Sequence, residues 1–155
     1  MSSDRWTDTR VERAAVLAVE RSVIEHTELI TATPATDFGI DLLAFHTAPF
    51  GAVPIQVKGA SSGLTVWRKY TSTPLIIAYV LDPLGDVPTT CIMTGDDAWQ
   101  LPFEYAERGG GAKGHDCEND SYRWPSVTKL LHELLIERQA TKARWNALFE
   151  EVRAR

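Results

Sequence analysis

Ile40-Asp41-Leu42-Leu43-Ala44-Phe45 and Pro54-Ile55-Gln56-Val57-Lys58-Gly59 are the two stretches whose reading decides the fold. Each has an apolar centre and is bounded by glycine or proline, the pattern of a short strand. Strand side chains alternate between faces, so Ile55 and Val57 turn one way while Gln56 and Lys58 turn the other. The link Thr47-Ala48-Pro49-Phe50-Gly51-Ala52 is short and turn-rich, which predicts an antiparallel hairpin. Pro54 is expected at the start of the second strand, where its missing N–H breaks no central ladder.

Working outward, Thr9-Arg10-Val11-Glu12 reads as a capping box and predicts a helix over about 9–25. Val11, Ala14, Ala15, Ala18, Val19 and Val23 give that helix an apolar side suited to packing on a sheet. Residues 28–31 read as a short first strand. Downstream, the continuous apolar run Leu75-Ile76-Ile77-Ala78-Tyr79-Val80-Leu81 predicts a buried strand ended by Asp82-Pro83. Thr89-Thr90-Cys91-Ile92-Met93 predicts another, followed by a short helix through Trp99 capped by Thr94 or Asp96. Residues near 107–120 are expected to form a mobile loop. Its glycine run, Gly109 to Gly114, lacks the lysine-serine ending of a phosphate loop. Ser126 is expected to cap a helix bearing Leu130, Leu131, Leu134 and Leu135. A last helix from about Thr141 carries Trp145, Leu148, Phe149 and Val152, so C-terminal helices occupy 126–153. The expectation is one domain over 1–155 of class α/β (α+β), a mixed central sheet flanked by helices.

At 155 residues the chain is long enough for a real core, and its 44% hydrophobic and 24% charged content is that of an ordinary globular protein. A net charge of −5 argues against a strongly basic coat for nucleic acid, although a local basic patch remains compatible with it. Two cysteines, Cys91 and Cys117, allow at most one disulfide. No apolar stretch approaches the roughly 20 residues of a membrane span. No membrane association and a cytoplasmic location are therefore the expectation.

The chemistry begins with oxygen donors. Asp41 offers a carboxylate, Gln56 an amide carbonyl and Val57 a main-chain carbonyl, all suited to Mg²⁺. Lys58 is placed to offset negative charge on a scissile phosphate or to reach an attacking water. Asp41 followed by Gln56-x-Lys58, with Glu12 on a preceding helix, resembles the PD-(D/E)XK superfamily of restriction-endonuclease-like nucleases. The third position is usually an acid; glutamine there is similar to the Mrr-like restriction endonucleases. The helix-to-motif spacing also resembles archaeal Holliday-junction resolvases. The resemblance spans about residues 9–81. It implies a restriction-endonuclease-like fold and Mg²⁺-dependent hydrolysis of DNA, branched or modified DNA included, with Mn²⁺ as a substitute. Asp41, Gln56, Val57 and Glu12 would then hold the metal, and Lys58 would be the catalytic lysine. A homodimer is also implied.

Each residue has a plainer reading beside this one. Asp41 would cap a turn or pair with Lys58 across the hairpin, Gln56 and Lys58 would form a solvated strand face, and Glu12 would serve only its capping box. Glu20 is the alternative helix acid, and Asp37 is a turn former beside Gly39. In Trp67-Arg68-Lys69-Tyr70, Arg68 and Lys69 are candidate phosphate contacts, with the aromatics either stacking on bases or packing inward. His115-Asp116-Cys117 has no second ligand pair that would complete a zinc site. An inactive nuclease fold, serving to bind nucleic acid or protein, is the alternative function.

Overall fold

The structure, a computed structural model, describes residues 2–36, 39–111 and 120–155. Helix α1 (Ser2–His26) leads into β1 (Ile30–Ala32), β2 (Leu42–Thr47) and β3 (Phe50–Ala60). Then come β4 (Leu64–Trp67), a 3-10 turn (Arg68–Tyr70), β5 (Ile76–Leu81) and β6 (Thr89–Thr94). Helix α2 (Gly95–Glu107), β7 (Ser121–Trp124), α3 (Lys129–Ile136) and α4 (Lys142–Arg153) complete the chain.

Five strands form the central sheet in the order β1-β2-β3-β5-β6, and β4 pairs with β7 in a separate two-stranded ribbon. Among the described strands only β3 and β5 run parallel; every other pair is antiparallel. The class is therefore mixed α+β. Parallel neighbours need a long crossover, usually a helix. Here β4 and the 3-10 turn serve instead. Strand β5 is buried at every position, as its unbroken apolar run requires.

Each face of the sheet carries its own core. On one, Ile55 and Val57 of β3 pack with Ala15, Val19 and Val23 of α1 and Trp145 of α4. The Trp145 indole N–H donates to Ser22 Oγ at 2.9 Å and ties the two helices together. On the other face, Ile77 and Tyr79 of β5 pack with Leu101 of α2, Leu131 of α3 and Val66 of β4. The Arg138 guanidinium closes that side. It donates to Asp97 at 2.9 and 2.8 Å and to Glu104 at 2.8 Å, and its NH1 donates to the Leu134 carbonyl at 3.0 Å. A buried cation needs such partners, because an unpaired one is strongly destabilising.

The outer edge of β6 is covered by the chain between α3 and α4. Ile92 N–H donates to the Arg138 carbonyl, and Ala140 N–H donates to the Thr90 carbonyl, both at 2.8 Å. Cys91 faces Gln139 in an isolated bridge.

The structure corrects several boundaries. Helix α1 begins at Ser2 rather than Thr9, so Thr9 and Glu12 lie inside it and form no capping box. No glycine or proline interrupts residues 2–9, so helical propensity carries on unopposed. Strand β3 starts at Phe50, which puts Pro54 within it. Pairing with β5 begins only at Ile55, so the proline nitrogen meets no neighbouring strand there. Helix α2 continues past Trp99 to Glu107 and contains Pro102. Burial of Leu101, Pro102 and Tyr105 offsets the hydrogen bond lost at the proline. The cap of α3 is Thr128, not Ser126. Strand β7 has no counterpart in the sequence reading. Of the expected loop, 107–111 and 120 are described; residues 112–119, with His115, Asp116 and Cys117, lie outside the described residues, as does Asp37.

Candidate functional site

Strand β2 begins at Leu42, opposite Ile55, while β3 runs on to Ala60. Beyond Ile55, therefore, β3 has lost its antiparallel neighbour. Asp41 fills the gap. Its N–H donates to the Ile55 carbonyl at 3.0 Å, and its Oδ2 accepts the Val57 N–H at 2.7 Å. The carboxylate thus stands in for the next rung of the ladder, a charge-assisted bond that fixes its position. The expected salt bridge to Lys58 is replaced by this main-chain bond. The two main-chain groups of a strand residue point to the same neighbour, so the Val57 carbonyl also turns toward Asp41.

Helix α1 reaches this place through a close approach. A Cβ on Gly59 would sit 2.9 Å from Val11 Cγ1 and 3.7 Å from Ala15 Cβ. Only glycine lets the helix lie so near the strand. As a result Glu12 and Asp41 line one cavity of about 240 Å³, together with Thr9, Arg13, Val16 and Thr33. Thr9, Glu12, Arg13 and Val16 are one stripe of the helix at spacings of three and four. Arg13 and Thr33 were not among the residues singled out from sequence. The four-residue spacing from Thr9 is a signal that finds Arg13; Thr33 is brought in by tertiary folding alone.

Gln56 and Lys58 do not line that cavity. Ile55 and Val57 belong to the core under α1 and α4, so alternation turns Gln56 and Lys58 to the opposite face. Gln56 lies beside Ile77 in register and is only 6% exposed. Its Oε1 is buried with no hydrogen-bond partner among the described residues. The expected solvated strand face is thus absent at Gln56. Lys58 is half-buried beside Tyr79. Burial pushes the Tyr79 hydroxyl well above the ordinary phenol range, so it stays a neutral donor, bonded to the Thr65 carbonyl at 3.0 Å. Glu20, the alternative acid, is half-buried on α1 and also absent from the Asp41 cavity.

Arg68 and Lys69 lie elsewhere, exposed on the 3-10 turn. Lys69 Nζ sits 5.3 Å from the Trp67 ring centre and 5.1 Å from that of Tyr70. With Trp67, Thr71 and Asp120 these two bases line a separate cavity of about 480 Å³. The aromatics are neither fully inward nor free: Trp67 is 36% exposed and holds the lysine by a cation–π contact.

The donor set can be tested against a divalent metal. Asp41 Oδ1, Glu12 and the Val57 carbonyl are hard oxygen donors; the unpaired Gln56 oxygen is of the same kind but lies outside that cavity. That chemistry suits Mg²⁺ or Mn²⁺ and not a soft metal. Among the described residues no group of three or more His, Cys, Asp or Glu is gathered at one point. The described helices include none long and apolar enough to cross a membrane. No protein-family model, curated protein or solved structure matches the chain.

Proposed function

We propose that the chain is a metal-dependent nuclease of the PD-(D/E)XK type, with a restriction-endonuclease-like fold, acting on DNA. One observation carries the reading: Glu12 and Asp41, from a helix and a strand, share one cavity, with Asp41 bonded to the main chain of the Gln56-Val57-Lys58 strand. Mg²⁺ or Mn²⁺ held by Asp41, Glu12 and the Val57 carbonyl would neutralise phosphate charge and make a water more acidic. Asp41 would orient that centre through its bond to Val57. Lys58, half-buried on the same strand but outside that cavity, would have to reach round the strand to offset charge on the phosphate. Arg68 and Lys69 would hold the DNA backbone at a distance from the reaction.

Cleavage of plasmid and branched DNA in Mg²⁺ or Mn²⁺ tests the reading. Asp41→Asn is the informative variant, because it keeps an acceptor for the Val57 N–H while removing the charge. Asp41→Asn, Glu12→Gln and Lys58→Ala should each lower the rate by roughly 10²-fold or more. Equal cleavage by all four proteins overturns the site.

A second reading is a nucleic-acid-binding module without catalysis. It is favoured by the burial of Gln56, a neutral amide that stands where an acid is usual and does not line the cavity. DNA binding by wild type without cleavage, lost in Lys69→Ala, would select it.

A further inference from the structure

The β4–β7 ribbon has an inner and an outer face. Leu64, Val66 and Trp124 point into the second core, so alternation turns Thr65, Trp67 and Arg123 outward. Arg123 stands opposite Thr65 in register and donates to its hydroxyl at 3.3 Å. Trp67 belongs to neither core, whereas Tyr70, three residues on, packs against the second one. The ribbon lies on the sheet face to which Lys58 turns, since Tyr79, beside Lys58 in register, donates to the Thr65 carbonyl.

The cations of this surface have no acidic partners. Among the described residues Arg68, Lys69 and Arg123 enter no ion pair, whereas Arg108, Arg138, Arg144 and Arg155 each contact a carboxylate. In a chain of net charge −5, three unpaired bases in one place make a local field opposite in sign to the whole. Asp120 is the one acid among the residues lining the adjoining cavity, and its main-chain carbonyl accepts the Arg68 N–H at 2.9 Å. The contact of Lys69 with the Trp67 and Tyr70 rings fixes an ammonium beside the exposed indole. Arg123, opposite Thr65, lies about 7 Å further along the ribbon from Trp67. A cation and an open ring side by side match a phosphate and the base attached to it. Duplex DNA offers the phosphates alone, because its base faces are already stacked. An unpaired strand offers both.

We propose that the outer face of the β4–β7 ribbon is a binding track for unpaired DNA. Trp67 stacks on one base, Arg68 and Lys69 take the adjoining phosphate, and Arg123 takes a phosphate further along the strand. The inference deepens the proposed function in one respect, the form of the substrate, and rests on that reading for DNA as the ligand. It assigns the track to single strands and unpaired tails in preference to intact duplex.

The test is fluorescence anisotropy of the full chain with a labelled thymidine oligonucleotide of about 16 residues and with a duplex of equal length, in EDTA so that no metal-dependent cleavage intervenes. Wild type should bind the single strand roughly tenfold or more tightly than the duplex. Trp67→Ala should lose roughly tenfold in single-strand affinity and little on duplex, and Trp67→Phe, which keeps a ring, should recover most of the loss. Arg123→Ala should reduce the slope of log affinity against log salt by about 0.7 between about 50 and about 200 mM. Both positions are exposed, so circular dichroism should be unaltered. No single-strand binding up to about 100 μM, the weak end of non-specific affinity, overturns the proposal. Duplex bound as tightly as the single strand overturns it too, as do an unchanged affinity in Trp67→Ala and an unmoved salt slope in Arg123→Ala. Cleavage assays in Mg²⁺ separate this outcome from the nuclease reading. Single-strand preference without cleavage leaves the track standing and removes the nuclease, whereas cleavage without that preference removes the track alone.

Discussion

Gln56 is the residue at which stability and function pull apart most clearly. A buried acceptor without a partner costs about 1–3 kcal/mol, and the Oε1 of Gln56 is in that position among the described residues. A methionine would match its length and remove the polar group. Gln56→Met is therefore expected to raise the denaturant midpoint in metal-free buffer, by roughly 1 kcal/mol in free energy. If the oxygen serves a bound cation, the same variant should lose part of any stabilisation that Mg²⁺ or Mn²⁺ gives wild type. Thermal denaturation with and without metal reads both effects. A less stable variant would mean that the amide is engaged and its burial already compensated. The side-chain alternation along β3 was legible in the sequence, and it correctly separated Ile55 and Val57 from Gln56 and Lys58. It could not show which face is covered. One face of β3 is covered by α1 and α4, and the other borders the second core, which joins Ala60 to residues of α2, α3 and the β4–β7 ribbon; most of these elements are distant in sequence.

At the scale of elements, three of the four described helices start in the same way. Thr94, Thr128 and Thr141 each accept the N–H three residues on, at 3.1, 3.2 and 3.1 Å. Each replacement by alanine is expected to cost about 1 kcal/mol. Ser126→Ala, at a place where only the sequence suggests a cap, should cost much less. Urea unfolding of the four variants measures the contrast. A Ser126→Ala loss as large as that of Thr128→Ala would contradict the boundary. Thr94 and Thr141 were readable because each stands just before an apolar periodic segment. Thr9-x-x-Glu12 misleads because the same residue types fit an exposed helical face. Strand β7 was illegible for a different reason. Four residues give little periodicity, and their partner β4 lies more than fifty positions upstream, from Leu64↔Trp124 to Trp67↔Ser121. The shared cavity of Glu12 and Asp41 was foreseen as a pairing of residues. Its physical cause, the close passage of α1 over Gly59, was not.

For the whole molecule, the C-terminus is fastened by charge. Arg155 donates to Asp96 Oδ2 at 2.8 Å, and Asp96 also accepts the Ser72 N–H at 2.9 Å. The Arg155 bond, first among the causes, holds the Asp96 carboxyl below its ordinary value. A carboxyl depressed on folding adds stability that is fully present above its unfolded value, about 3.9, and is lost as pH falls through the lower folded value. Arg155→Ala should move the Asp96 titration upward and shrink the acid-sensitive part of the stability curve. Carbon-detected NMR titration reads the shift; an unmoved Asp96 would show that the terminal arginine is not what holds it. The contribution is small, because both groups are partly in water.

The strap from Arg138 to Ala140 along β6 has a consequence for life in a crowded solution. An unpaired sheet edge is a template on which a foreign strand can assemble. Here one margin of the sheet is occupied by main-chain bonds of the chain itself, and the other is β1, only three residues long. These two margins of the five-stranded sheet therefore offer a foreign strand little open edge on which to seed a fibril.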